Sequence, residues 1–179
     1  MKFHYWASTM GVEYYIINRA NKTFFDLGKG GWWDLGEDKD YLIDPEYLEE
    51  YIFDNVFNGY EDCYRTSPCT REYCKSLAKE LYKFCEGTCM ENILFASDTT
   101  DDSLVLRALR YRCVGTRYDD NNYQSKEDRI ETENRHFRES TPPHFYDAEK
   151  LRADERMTHL FDKYEWVTVL TYRPGSWVS

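Results

Sequence analysis

The feature that most constrains this chain is a single amphipathic pattern near its middle. Between Thr70 and Glu86, apolar side chains recur at intervals of three and four residues, and they are Tyr73, Cys74, Leu77, Ala78, Leu81, Phe84 and Cys85. This spacing predicts a helix with one apolar stripe, and Gly87 is a typical helix stop. Such a stripe has to be buried against other elements, so a folded globular protein is expected.

Length and composition predict a single domain that comprises residues 1–179. The chain has 179 residues, of which 16 are Tyr, 10 Phe and 5 Trp, and this aromatic content supplies ample area for a core. No run approaches the roughly 18–20 apolar residues of a membrane span. The beginning of the chain lacks the apolar core of a secretory signal. We therefore expect an intracellular protein, in the cytoplasm or the nucleus, with no membrane partner.

Several segments have the composition of β-strands, because they are rich in β-branched and aromatic residues or form short apolar runs between polar turns. The predicted strands cover residues 12–17, 23–27, 92–97, 108–117 and 165–172. The first two form a hairpin, and the set predicts a mainly antiparallel sheet. The region 103–114 also fits a helix beginning at Asp101 or Asp102, and this alternative stays open.

About three helices are expected to cover this sheet, which makes the fold class α+β. Besides the helix at 70–86, Asp44-Pro45 begins a second one, since Asp is a favoured N-cap and Pro fits the first helical position. A third helix is predicted over 147–163. The inward residues of these two helices are Leu48, Ile52 and Val56, and Ala153, Met157, Leu160 and Phe161. Residues 119–146 hold a charged helical pattern at 125–138 but few apolar side chains, so this segment is expected to be flexible or irregular.

Negative charge is concentrated in one part of the sequence. Between Asp34 and Asp62 there are eleven acidic residues and a single lysine, Lys39, and they account for the whole net charge of −10. A concentrated field of one sign attracts partners of the opposite sign and disfavours direct contact with phosphate backbones. The segment therefore favours a basic protein partner over nucleic acid.

Two other interpretations of the acidic segment stay open. It is also typical of a solvated helix face that only aids solubility. Alternatively, arginines later in the sequence neutralise it across the fold, since arginine pairs readily with carboxylates. The candidates for this role are Arg107, Arg110, Arg112 and Arg117.

Aromatic residues beside the acidic segment extend the binding hypothesis. Tyr and Trp dominate interface hot spots because they bury a large area with few rotamers. Core packing is the alternative use of the same side chains. We predict a non-enzymatic protein-binding module whose partner-binding residues are Glu37, Asp38, Asp40, Glu46, Glu49, Glu50, Trp32 and Trp33.

A second class of function rests on Asp98, Asp101 and Asp102. These residues follow an apolar run, and carboxylates at the carboxyl end of a strand are where α/β enzymes hold ions such as Mg²⁺. A metal-dependent hydrolase or nuclease is therefore the alternative function. The same residues also suit a polar turn or a helix N-cap, and no other motif completes a phosphatase or nuclease site. An enzyme is thus the less favoured class.

The six cysteines do not have the spacing of a common metal site. Cys69 and Cys85 would lie about 24 Å apart along the predicted helix at ~1.5 Å per residue, too far to share one ion. Cys74 and Cys85 fall on the apolar stripe, which is typical of buried thiols. A zinc site that uses some of the cysteines with histidines stays an alternative, as do one or two disulfides. No metal and no cofactor is predicted.

The opening of the chain resembles a group of viral proteins. The segment Met10-Gly11-Val12-Glu13-Tyr14-Tyr15, followed by Asp26-Leu27-Gly28-Lys29-Gly30, is similar to the start of small soluble proteins encoded by large nucleocytoplasmic DNA viruses of the Marseillevirus type. The resemblance implies a protein of the host cytoplasm or nucleus that could also be carried in the virion. It implies no defined activity and carries no catalytic motif.

Overall fold

A four-stranded mixed sheet forms the centre of the computed structural model. Its strands are β1 (Glu13–Asn18), β2 (Thr23–Lys29), β3 (Ile93–Ser97) and β4 (Arg112–Thr116), in the order β3-β1-β2-β4. Strand β1 pairs antiparallel with β2 and with β3, whereas β4 runs parallel to β2. The sequence predicted a mainly antiparallel sheet and did not foresee the parallel pair.

The structure describes residues 12–56, 71–117, 125–139 and 148–169, except for the side chains of Trp33 and of residues 136–139. Several sequence-based expectations concern residues outside these ranges. They are the acids Glu61 and Asp62, Cys63 and Cys69, and the end of the strand expected at 165–172.

Seven α-helices accompany the sheet in the described ranges, more than the three expected. They are α1 (Trp33–Glu37), α2 (Pro45–Tyr51), α3 (Arg71–Cys85), α4 (Asp102–Ala108), α5 (Lys126–Glu139), α6 (Ala148–Arg152) and α7 (Thr158–Glu165). A π-helical turn over Ile52–Val56 extends α2, and 3-10 turns cover Lys39–Ile43 and Met90–Asn92. The architecture confirms the predicted α+β class.

None of the helices within the described residues combines the length and the apolar character needed to cross a bilayer.

The two faces of the sheet bury separate clusters of side chains. Alternation along β1 sends Ile16 to one face and Tyr15 and Ile17 to the other. Helices α1, α2 and α3 pack on the face of Ile16. Helices α4, α6 and α7 pack on the face of Ile17. The sheet therefore separates the acidic segment, which lies in α1 and α2, from the later helices.

Helices α2 and α3 follow the sequence patterns closely. Asp44 caps α2, and its Oδ1 accepts the backbone N–H of Glu46 at 3.0 Å and that of Tyr47 at 3.4 Å. Within the apolar stripe predicted for α3, Tyr73 and Phe84 are half-buried and the rest are buried. The buried residues are Cys74, Leu77, Ala78, Leu81 and Cys85. The predicted start of α2 and the predicted stripe of α3 are both confirmed. Both could be predicted because they depend on residues close together in the sequence.

The region 103–114 combines the two readings left open by the sequence. Helix α4 begins at Asp102, and a turn with Arg110 at φ +61° leads into β4. The predicted strand at 108–117 is thus shorter and begins at Arg112. Val105 and Leu106 are buried on α4, so the apolar residues of this region serve a helix.

The last part of the described chain differs from its prediction in two ways. The helix expected over 147–163 is divided into α6 and α7, and Ala153 between them is exposed. There Asp154 Oδ1 accepts the backbone N–H of Arg156 at 3.0 Å, a local bond that competes with helix formation. Residues 166–169, the described part of the strand expected at 165–172 that follows α7, have no regular secondary structure and do not join the sheet.

Candidate functional site

The acidic segment folds into an exposed surface formed by α1, the following 3-10 turn and α2. We define the acidic surface as the six exposed carboxylates Glu37, Asp38, Asp40, Asp44, Glu46 and Glu50. Glu49 is half-buried at its edge. Two of the six also shape the backbone, since Asp38 accepts the N–H of Asp40 at 3.0 Å and Asp44 caps α2. The exposed carboxylates of the prediction therefore share one part of the molecule.

Little positive charge from the same molecule offsets this surface. Among the described residues, its one salt bridge joins Glu50 Oε1 to Arg71 at 2.6 Å, and both side chains are about half exposed. The ammonium group of Lys39 donates to the carbonyl of Met90 at 3.0 Å. Helix α4, which carries Arg107, covers the opposite face of the sheet. The geometry thus keeps most of these carboxylates available to a partner.

Two lysines of α3 do approach one side of the acidic surface. A groove of about 350 Å³ between α2 and α3 is lined by Glu46 and Glu49 on one side and by Lys75 and Lys79 on the other. These lysines reduce the negative potential towards α3. Asp44 also lines this groove, whereas Asp38 and Asp40 do not.

The aromatic members of the predicted surface need correction. Trp32 is fully buried in the cluster beneath α2, so its ring cannot reach a partner. The side chain of Trp33 is outside the described residues. Trp32 was misassigned because its neighbouring glycines allow the chain to turn inward, and the Gly30 φ of +137° is a conformation that favours glycine.

Two tyrosines that the sequence analysis passed over take the place of the tryptophans. Tyr47 is 53% exposed, and its ring stacks on Tyr41 with centroids 4.8 Å apart and planes at 9°. Ile43 beside them is 46% exposed. A signal was present, because Tyr47 falls outside the apolar stripe of Leu48 and Ile52 and so faces away from the core.

An arginine already occupies one end of this surface. The guanidinium of Arg71 lies over the ring of Phe53 at 3.9 Å while it pairs with Glu50. A planar cation between an aromatic face and a carboxylate gains both π attraction and an ion pair. The chain thus shows, within itself, how arginine fits an aromatic and acidic surface of this kind.

The three carboxylates of the alternative enzymatic hypothesis have separate structural roles. Asp98 Oδ1 accepts the backbone N–H of Glu13 at 3.1 Å, and Asp101 is exposed at the start of α4. Asp102 binds Lys163 at 2.9 Å and also the hydroxyl of Tyr164. Burial opposes its charge, but these two hydrogen bonds hold the pKa of Asp102 below its ordinary value. No group of three potential ligands within the described ranges is placed to hold a metal ion.

A second group of carboxylates, which the sequence analysis missed, lies where α5 meets the sheet. We call Glu13, Asp26, Glu133 and the accompanying Arg129 the buried carboxylate cluster. The Asp26 side chain is fully buried, and its Oδ1 accepts the N–H of Gly28 at 2.8 Å. Its Oδ2 lies 3.6 Å from the Arg129 guanidinium and accepts no hydrogen bond from the described residues. Arg129 is closer to Glu133, at 2.6 Å.

This environment changes the acidity of the cluster. Burial, together with the negative charges of Glu133 and Glu13, raises the pKa of Asp26 to about 7, while the Gly28 N–H and Arg129 oppose the shift. Burial, with Glu133 and Asp98, also raises the pKa of Glu13. The sequence signal was a charged residue inside the otherwise apolar strand β2.

The cysteines in the described ranges are buried free thiols. They are Cys74, Cys85, Cys89 and Cys113. Burial raises the pKa of Cys74 to about 11 and that of Cys113 to about 12, which disfavours the reactive thiolate. These side chains act as small core residues.

Comparisons with protein-family models, with curated proteins and with solved structures found no match to this chain.

Proposed function

We propose that the chain is a protein-binding module whose acidic surface recognises an arginine-bearing segment of a basic partner. The observation that supports it is the exposed ring of Tyr47, stacked on the half-buried Tyr41 beside carboxylates that have only one salt bridge in the described part of the chain. The viral resemblance of the opening segment would make the partner a host or viral protein.

Electrostatics gives this surface its reach. Carboxylates of one sign raise the local concentration of a basic partner and increase its association rate, and salt screens the effect. Exposed ion pairs contribute little to affinity once formed. The acidic residues should therefore act mainly on the association rate.

The tyrosine pair supplies selectivity for arginine. A guanidinium is planar and weakly hydrated, so it stacks on an aromatic ring more readily than the ammonium of lysine does. Tyr47 and Glu50 are three residues apart on α2 and therefore lie on neighbouring positions of its surface. Arg71 on Phe53 and Glu50 is the intramolecular example of the same arrangement.

Binding of short fluorescent oligo-arginine and oligo-lysine peptides tests the proposal. Both peptides should bind, with an association rate that falls steeply as salt is raised. The combined variant Glu46→Gln, Glu49→Gln and Glu50→Gln should slow association by about tenfold at low salt. A matched control removes three exposed carboxylates elsewhere through Glu127→Gln, Glu131→Gln and Glu155→Gln. Salt-insensitive binding, or an equal loss in the control, would refute the acidic surface.

The role of the tyrosine pair requires a separate comparison. Tyr47→Ala should reduce the preference for oligo-arginine over oligo-lysine by roughly fivefold, since one exposed cation–π contact contributes about 1 kcal/mol. Tyr47→Phe keeps the ring and should keep the preference. If the two peptides bind the unmodified protein equally well, the proposed arginine selectivity is wrong while the acidic surface stands.

A further inference from the structure

Helix α5 is held on the sheet by polar contacts. No described side chain between Lys126 and Arg135 is fully buried. The Asn134 amide instead pairs with the backbone of Cys113, accepting its N–H at 2.7 Å and donating to its carbonyl at 3.0 Å. Lys126 forms a salt bridge with Glu80 of α3. A helix docked in this way depends strongly on the charges beneath it.

Charged and titratable groups face Asp26 from every element packed around it. Strand β1 contributes Glu13 and Tyr15, and α5 contributes Arg129 and Glu133. Groups farther along the neighbouring strands complete the set. They are Lys29 at the end of β2, Asp98 after β3 and Cys113 on β4.

The charges nearest to Asp26 do not balance. Arg129 is the cation that approaches Asp26, and it lies closer to Glu133 than to Asp26. With all three acids ionised, the described cations near these three carboxylates would be Arg129 and, beside Glu13, Lys29, in a place from which water is largely excluded. Like charges in such a site favour the uptake of a proton by one of them.

We infer that the buried carboxylate cluster makes the docking of α5 on the sheet depend on pH, with Asp26 protonated in the tightly docked state. Separation of α5 would carry Glu133 away and admit water to Asp26. Both changes favour the ionised carboxylate. Arg129 would leave with Glu133, and its loss opposes them, but burial and Glu133 act more strongly on Asp26 than Arg129 does. Loss of the proton therefore shifts the equilibrium towards the undocked helix.

The linkage between proton binding and docking gives the sign of the pH effect. The pKa of Asp26 is raised in the docked state, so docking is strongest below the ordinary value of an aspartate and weakens as pH rises towards about 7. Within that window the opening constant of α5 should rise by up to about tenfold for each pH unit. Above it no further change is expected from this group.

Hydrogen–deuterium exchange measures the opening of α5 directly. Backbone exchange in residues 126–139 would be followed at about pH 5 and about pH 7.5, with each rate normalised to the intrinsic rate at that pH. In the unmodified protein we expect protection of α5 to be at least about tenfold lower at the higher pH. Equal protection of α5 at both pH values would overturn the inference.

Substitutions then assign the effect to the cluster. Asp26→Asn should abolish the pH difference in α5, whereas Glu131→Gln, an exposed change on the same helix, should retain it. If Asp26→Asn does not fold, Glu133→Gln provides the test, because removal of one like charge should reduce the pH difference. If the protection of α5 still differs between the two pH values as much in Asp26→Asn as in the unmodified protein, the inference is wrong. The same result in Glu133→Gln would overturn it where Asp26→Asn does not fold.

Discussion

The acidic surface and the buried carboxylate cluster place the same chemical group in opposite environments. The six carboxylates of the acidic surface, all between residues 37 and 50, are exposed to water. At the contact of α5 with the sheet, Asp26 has no exposed surface and meets two further carboxylates. The first set lies within a short stretch of sequence, whereas the second is assembled from β1, β2 and α5.

The comparison shows that the number of charges in a segment does not measure their effect on the fold. Exposed charges are hydrated and screened, so they mainly influence association with other molecules. A buried carboxylate without enough cations changes its protonation state and links folding to pH. Four substitutions separate these two roles, in order of decreasing effect.

Arg129→Met should have the largest effect on stability. It leaves Asp26 and Glu133 without their shared cation, and loss of one partner from a largely buried pair costs roughly 3 kcal/mol. The loss of stability should be smaller at about pH 5 than at about pH 8, because Asp26 is protonated at the lower pH and needs no cation there. Urea denaturation at the two pH values measures it. Arg135→Met, an exposed change on the same helix, is the control, and an equal loss there would contradict the expectation.

Asp26→Asn should change how stability depends on pH. The raised pKa of Asp26 means that the unmodified protein loses stability from this group as pH rises from about 4 to about 7. A neutral amide has no such loss. The free energy of unfolding of the variant minus that of the unmodified protein should therefore increase by roughly 2 kcal/mol between about pH 5 and 7. Asp101→Asn, at an exposed position, should show no such gain. A constant difference between Asp26→Asn and the unmodified protein at all pH values would show that Asp26 is already ionised.

Asp44→Ala tests the carboxylate of the acidic surface that has the clearest structural role. Removal of the N-cap of α2 should lower the free energy of unfolding by about 1 kcal/mol. Asp44→Asn keeps the capping oxygen and should retain most of the stability while removing the charge. Thermal unfolding of the two variants separates the contribution of the capping hydrogen bonds from that of the negative charge. Equal losses of stability in both variants would assign the effect to the charge.

Glu46→Gln should have the smallest effect. The side chain is exposed, and we expect a change of less than about 0.5 kcal/mol in the free energy of unfolding. Association with an oligo-arginine peptide should slow measurably in the same variant. A large change in stability would mean that the acidic surface also supports the fold, and the contrast between the two carboxylate groups would then fail.

Local patterns made part of this molecule predictable. The Asp44-Pro45 pair marks the start of α2, and the spacing of Cys74, Leu77 and Leu81 identifies α3, because both signals depend on residues within a few turns. The concentration of acids on α1 and α2 was likewise visible in the chain. These features need no knowledge of what packs against them.

The features that the sequence did not reveal depend on contacts between residues far apart in the chain. Asp102 finds Lys163 61 residues away, so nothing near Asp102 indicates that its carboxylate is already engaged. Asp26 is conspicuous within an apolar strand, but its partner Glu133 lies on a helix that the sequence links to no particular strand. Trp32 was expected at the surface, but it is buried in the cluster formed with side chains of α1, α2 and α3, a packing that its neighbours in the sequence do not reveal.

The pairing of Asn134 with Cys113 has a consequence beyond the docking of one helix. Strand β4 is the outer strand of its side of the sheet, and outer strands can recruit strands from other molecules into growing fibrils. One amide side chain occupies both backbone groups of Cys113, as a neighbouring strand would. At Cys113, helix α5 therefore occupies backbone groups that a strand of another molecule would need, and we expect a chain that lost this amide to aggregate more readily.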